Sequence, residues 1–172
     1  EMNVDVTGQM NGVYLFMEGP ASGVEYWVDD VSVTSLLNQV LNPGFEEGLT
    51  NWQRKSGSIQ IDTTQSHSGS QSVLCFDRTK RHNGMRQNLV PGETIIPNAK
   101  YLVSGWAKLK NAASDNFKMT IKTVDNNGSR WRSVSATINN NGWTFLEGYL
   151  SIEVTGQLTS AQLTVVGPAR GV

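Results

Sequence analysis

One stretch of this sequence occurs twice, and it limits the possible folds more than any other feature. Residues 6–24 run Val6-Thr-Gly-Gln…Leu15-Phe-Met-Glu-Gly-Pro-Ala-Ser-Gly-Val24, and residues 154–172 run Val154-Thr-Gly-Gln…Leu163-Thr-Val-Val-Gly-Pro-Ala-Arg-Gly-Val172. The copies align without a gap, each residue 148 positions from its twin. Two copies are too few for a solenoid, which needs a longer row of stacked units. The first copy continues into Glu25-Tyr-Trp-Val-Asp-Asp-Val-Ser-Val33, and the second stops at Val172. The expectation is the tail of a preceding or permuted module (residues 1–35), followed by a module (residues 36–172) that lacks its own last strand and takes it from that tail.

Between the copies, apolar residues recur with a period of two. Val13, Leu15 and Met17 alternate with Tyr14, Phe16 and Glu18; Phe117, Met119 and Ile121 alternate with Lys118, Thr120 and Lys122. Such alternation marks strands with one buried face. Ser72–Asp77 is apolar on both faces, as a strand inside a sheet should be. Asp125-Asn-Asn-Gly128 is a hairpin turn, and its return strand puts Val134, Ala136 and Ile138 on one side and Trp131, Ser133, Ser135 and Thr137 on the other. About nine short strands, punctuated by Gly, Asn and Pro clusters, predict an all-β fold: a two-sheet antiparallel β-sandwich.

Charge and cysteine content remove several classes of function. With 14 basic and 15 acidic residues the net charge is −1, so the balance gives no case for nucleic acid or an anionic membrane. No apolar run approaches the ~20 residues of a membrane span. The single Cys75 lies in the apolar run Val73–Phe76 and reads as a small core residue. Catalytic patterns are missing as well. Spacing supports no Ser-His-Asp arrangement, phosphate loop or Cys/His metal cluster. Glu46-Glu47 and Asp29-Asp30 are adjacent pairs, which on a strand point to opposite faces and cannot flank one glycosidic bond. The chain reads as a non-enzyme.

The residues that alternation leaves facing outward suit a sugar. A pyranose ring has an apolar face that packs on an aromatic ring and a rim of hydroxyls that charged or bidentate groups bond. Trp131, Phe16, Tyr14, Glu18, Arg54 and His82 supply those groups. On the residues alone, each also has a plainer reading. Trp131 fits equally well under a loop, Phe16 and Glu18 as a cross-strand surface pair, and Arg54 as half of a surface ion pair.

The strings Asn42-Pro-Gly-Phe-Glu46…Trp52…Arg54, His67-Ser-Gly-Ser70-Gln-Ser72, Arg78-Thr79…Asn83-Gly84 and Tyr26-Trp27-Val28-Asp29-Asp30 resemble those of a family 22 carbohydrate-binding module. The likeness runs from Leu36 to Val172, with residues 25–34 as the last strand. Asn-Pro-Gly-Phe-Glu also occurs in the related families 4, 9 and 16, and the Arg-Thr…Asn-Gly loop favours family 22. The resemblance implies a jelly roll of the galactose-binding-domain type. It implies a non-catalytic module of a secreted plant-cell-wall hydrolase that binds xylan, another β-1,4-linked polysaccharide or mixed-linkage β-glucan.

By the same resemblance, Arg54 falls on a cleft arginine, Trp131 on a cleft tyrosine, and Phe16 with Glu18 on an aromatic-x-glutamate pair. His82 replaces a loop tryptophan. Thr164 and Val166 break the pattern in the second copy. A structural calcium is implied too, held by Glu46 and Asp29 with carbonyls near Gly44, Thr64 and Ser68. If residues 13–18 dock they displace 161–166; otherwise Gln162, Thr164 and Val166 line that part of the cleft. Exchange of the segment with a neighbouring copy is the intermolecular form of the same docking. The competing expectation is a spacer module without a sugar site.

Overall fold

The computed structural model describes residues 13–18, 22–34 and 38–166, with backbone alone for 13–18, 32–34, 165 and 166. The repeat's outer flanks (residues 6–9 and 167–172) and the side chains of Phe16 and Glu18 lie outside the described residues.

The strands in chain order are β1 (Val13–Glu18), β2 (Tyr26–Thr34), β3 (Gln53–Ser56), β4 (Ser58–Asp62), β5 (Ser72–Phe76) and β6 (Gly84–Leu89). They continue with β7 (Lys100–Leu109), β8 (Ser114–Asp125), β9 (Gly128–Asn139), β10 (Thr144–Ser151) and β11 (Leu158–Val166). They form the expected all-β, two-sheet antiparallel sandwich. One sheet runs β10-β7-β2-β5-β4; the other joins β3, β6, β8 and β9 with β1 and β11. Among the described residues no helix is long and apolar enough to cross a membrane.

The alternation read from the sequence is largely the alternation of burial. Phe117, Met119 and Ile121 of β8 are buried in the core and Lys118 is exposed, but Thr120 between Met119 and Ile121 is buried as well and Lys122 is partly buried, so there the alternation of burial fails. The inner faces meet where Tyr26 of β2 packs edge-on against Phe117, with ring centroids 5.6 Å apart. Gly148 lets β10 come close to β9, because a methyl group there would strike Val134. Cys75 is fully buried on β5, between β2 and β4, and burial pushes its thiol up to about 12.

The basic loop after β5 serves the fold. Arg78 is buried, and its guanidinium donates to the carbonyls of Val24, Arg81 and Asn83 while lying 5.1 Å from the Tyr26 ring centroid. A buried guanidinium persists only when its N–H groups are bonded in this way. The cation therefore ties the start of β2 to the β5–β6 loop.

The two copies of the repeat meet in the site-bearing sheet. Leu15 and Leu163 each lie opposite Gln87 of β6 and Ile121 of β8; Phe16 and Thr164 each lie opposite Arg86 and Thr120. A strand has two hydrogen-bonding edges, and β3 and β9 hold the outer edges of β6 and β8. One slot remains between β6 and β8, and both copies carry its register. The shared register is what alternative occupancy of one slot requires. Leu15→Asp or Leu163→Asp alone should therefore leave a cooperatively folding chain, because the other copy fills the slot. The double substitution, which buries a charge at a cost of several kcal/mol with either occupant, should abolish the urea transition followed by tryptophan fluorescence. Loss of that transition in one single variant would mean that only its copy can fill the slot.

Candidate functional site

The outer face of the β3-β6-slot-β8-β9 sheet carries one large exposed ring, with the buried hydroxyl residues Thr120 and Thr164 beside it. Trp131 projects from β9 with 58% of its surface exposed, and Lys122 Nζ of β8 lies 5.6 Å from its ring centroid. The hairpin fixes this placement. Asp125, at the end of β8, accepts from the Asn127 and Thr155 amides and pairs with Arg130 at 2.6 Å, so the register that turns Trp131 outward is pinned next to it. Beside Trp131, Thr120 Oγ1 and Ser133 Oγ share a 2.8 Å hydrogen bond, and Thr164 of the second copy lies opposite Thr120. The other strongly exposed rings, Phe145 and Tyr149, belong to β10 on the opposite sheet.

Across the slot stands a group of cations. Arg86 of β6 lies between the buried Met85 and Gln87 and so turns to the outer face. Lys55 belongs to β3, where the pairing with β6 shifts register between Arg54 and Ser56. Burial, then the nearby charges of Lys122 and Arg86, push Lys55 down to about 8. His82 in the β5–β6 loop is close enough to feel Lys55: partial burial and the charges of Lys55, Lys80 and Arg81 hold its imidazole below the usual value. At neutral pH His82 is therefore mainly uncharged, with one ring nitrogen to donate and one to accept.

The sequence-derived residues fall into three groups. Trp131 and His82 stand on the two sides of this face, linked by the electrostatic chain Lys122–Lys55–His82. Arg54 lies opposite Met85, a core residue, and donates to the Gly57 carbonyl at 3.3 Å. The neighbouring Lys55 is the β3 cation coupled to Arg86 and Lys122. Phe16 and Glu18 have only a register: Phe16 opposite Arg86 and Thr120, Glu18 opposite Gly84 and Lys118. The sequence reading missed Lys55, Arg86 and Lys122. Alternation could have flagged Lys122 opposite the face of Ile121, but a strand shift placed Lys55.

The second set of candidates converges on one loop of the other sheet's end. Asp29 is fully buried where β2 breaks register before Ser32, and it accepts the amides of Asp30, His67 and Ser68 at 2.9, 2.8 and 3.2 Å. Burial outweighs those bonds and pushes its carboxyl up to about 6. Asp30 takes His67 Nδ1 at 2.7 Å and Ser68 Oγ at 2.6 Å, while the His67 ring stacks on Trp106 with centroids 3.8 Å apart. Glu46 accepts the Ser70 hydroxyl and the Ser70 and Gln71 amides, which hold its carboxyl below the usual range. Gly69 is the cradle for that carboxylate: its φ is +63°, and a Cβ would collide with Glu46 Oε1. Gly44 lies against both Asp30 and Glu46. Thr64 is set apart, with its amide and hydroxyl on Asp62. Asp29 and Glu46 thus hold opposite ends of residues 67–71, and among the described contacts Asp29 has no cation.

Residues 37–171 match a family described as a carbohydrate binding domain. The chain is 30% identical over 160 residues to endo-1,4-beta-xylanase A of Thermoanaerobacterium saccharolyticum, an alignment covering 88% of this chain and 14% of that protein. It therefore spans only a small part of the length of such relatives. Among solved structures it is similar to the C-terminal family 22 carbohydrate-binding module of Clostridium thermocellum Xyn10B, with TM-score 0.64 and 25% identity over 74% of this chain and 82% of that one. A xylan-binding domain of family 22 gives TM-score 0.64 and 25% identity over 73% and 81%. These likenesses are to accessory binding modules, not to catalytic domains.

Proposed function

The chain belongs to the carbohydrate-binding domain family as a family 22 module, and from that premise we propose that it holds a xylan chain, without catalysis, on the outer face of the β3-β6-slot-β8-β9 sheet. The observation that carries this reading is Trp131. It is a largely exposed ring at the side of a floor made of hydroxyls, amides and cations. A sugar's C–H face gains by covering the ring, and its hydroxyls exchange water for the groups around it. That exchange is nearly balanced, so the affinity is modest. Its use is to raise the local concentration of substrate for an attached xylanase or related hydrolase in a secreted protein. Trp131→Ala should lower affinity for soluble xylan about ten-fold, within the range for loss of a stacked aromatic plus its buried area. Affinity electrophoresis reads this as lost retardation at unchanged mobility in a xylan-free gel. If the unmutated chain is not retarded either, the spacer reading replaces this one.

A calcium ion fits the loop held by Asp29 and Glu46. Its donors there would be all oxygen, as calcium requires: the two carboxylates, with the carbonyls of Gly44 and Ser68; Thr64, held on Asp62, stands apart from them. The fully buried Asp29 carboxylate, bonded only to amides and pushed up to about 6, is the kind of anion that a hard cation offsets. The ion would supply stability and no chemistry. Calcium in large excess over its dissociation constant adds about 2.7 kcal/mol, so the melting temperature should rise by roughly 5–10 °C over the value in chelator for a domain of this size. An unchanged melting temperature would rule the ion out.

The division at residues 35 and 36, with the first segment completing the second, also belongs to this proposal. It is supported by β2 lying between β7 and β5 in the middle of its sheet. In the presence of neighbouring copies, the same segment is available for exchange between chains. Light scattering over a dilution series should then show a dimer that dissociates slowly. A monomer at every concentration would confine the pairing to one chain.

A further inference from the structure

Two of the three most exposed aromatic side chains among the described residues, Phe145 at 44% and Tyr149 at 65%, stand on the sheet opposite the one that bears Trp131. Alternation along β10 sends Leu146 and Leu150 into the core and leaves Phe145, Glu147 and Tyr149 in one outward row. Antiparallel pairing with β7 sets Trp106 beside Phe145, Ser104 beside Glu147 and Leu102 beside Tyr149. These β7 residues are partly exposed and alternate with the buried Tyr101, Val103 and Gly105. The outcome is a strip two strands wide in which a ring, a polar pair and a second ring follow one another. Four residues of strand separate Phe145 from Tyr149, a distance of about 13 Å.

The rings are held from behind or beside. Phe145 leans on Trp106 with centroids 5.0 Å apart, and Trp106 is stacked on the His67 ring at 3.8 Å, whose Nδ1 lies 2.7 Å from Asp30. Lys100 Nζ lies 4.5 Å from the Tyr149 ring centroid. None of the described ion pairs engages Glu147. The strip holds one acid, Glu147, and one base, Lys100, so its charge is balanced and suits an uncharged partner. Two rings, even if fully covered, bury about 300–500 Å², short of the ~800 Å² per partner of a stable protein interface. A neutral chain of pyranose rings meets both limits. Its C–H faces cover Phe145 and Tyr149, and the hydroxyls between them reach Glu147 and Ser104. We propose that the outer face of β7 and β10 is a second polysaccharide site, which takes a neutral β-1,4-linked chain of the xylan type. The proposal rests on the reading of this chain as a carbohydrate-binding module and uses none of the residues around Trp131. With a site on the outer face of each sheet, one module bridges two polysaccharide chains.

Amide NMR spectra of the isotopically labelled full chain, titrated with a linear xylo-oligosaccharide, should show two separate groups of shifting signals. One group is the Trp131 indole with the amides of β8 and β9. The other is the amides of β10 with those of Ser104 and Trp106, following its own saturation curve. In Tyr149→Ala the dissociation constant of the second group should rise, and in Phe145→Ala/Tyr149→Ala it should rise about ten-fold or more. Both replaced side chains face solvent, and the dispersion of the spectrum shows directly that each variant is folded. A Trp131 signal that titrates while β10 stays still would overturn the second site and leave the first intact. Shifts confined to β10 and its β7 neighbours would uphold the second site and remove the first. If neither group moves, the carbohydrate reading falls with both sites. Shifts on β10 that persist unchanged in the double variant would assign them to a change transmitted through the core and would overturn the proposal.

Discussion

The site-bearing sheet depends on one strand of backbone hydrogen bonds. β6 and β8 each have one edge closed by a permanent neighbour, β3 and β9, and each needs a partner on the other edge. Leaving both edges open would strand rows of amides and carbonyls in the middle of a sandwich, where burial without partners is costly. It would also cut the sheet in two, with Trp131 on one half and Lys55, Arg86 and His82 on the other. The fold and the placement of Trp131 on one sheet with those side chains thus share a single requirement. The chain meets it twice over, because Leu15 and Leu163 carry the same pairing.

The two copies share a register but not a sequence. Leu15 and Leu163 hold the same register against Gln87 and Ile121. Opposite Thr120 and Lys118, Phe16 and Glu18 of the first copy have the register of Thr164 and Val166 of the second. The copies therefore differ in the residue types they carry at the register positions opposite Thr120 and Lys118.

What was legible in the sequence is what a period of two can encode. The outward placement of Trp131, the burial of Ile138 opposite it and the Asp125–Gly128 hairpin followed from alternation and turn chemistry alone. The Asn42–Glu46 string was also legible as a unit. Its parts have separate tasks: Asn42 bonds the carbonyls of Gly48 and Thr50, Phe45 packs on Trp52, and Glu46 holds the next loop. Illegible were the consequences of irregular pairing. A shift of register on β3 makes Lys55, beside Arg54, the cation coupled to the cleft. A break after Asp29 buries a carboxylate that a regular strand would have kept in alternation. Nor does a net charge of −1 reveal that the cations of β6 and β8 gather on one face, because sums over the chain carry no information about sides.

The buried Cys75 has a consequence beyond packing. With its thiol pushed up to about 12 and no solvent contact, it is neither ionised at neutral pH nor reachable by an oxidant. In an oxidising medium, copies of this domain strung along one polypeptide or crowded on a polysaccharide surface cannot cross-link through sulfur. The chain's one thiol is sealed by the same core that its sheets enclose. Repetition of the domain then carries no risk of scrambled disulfides.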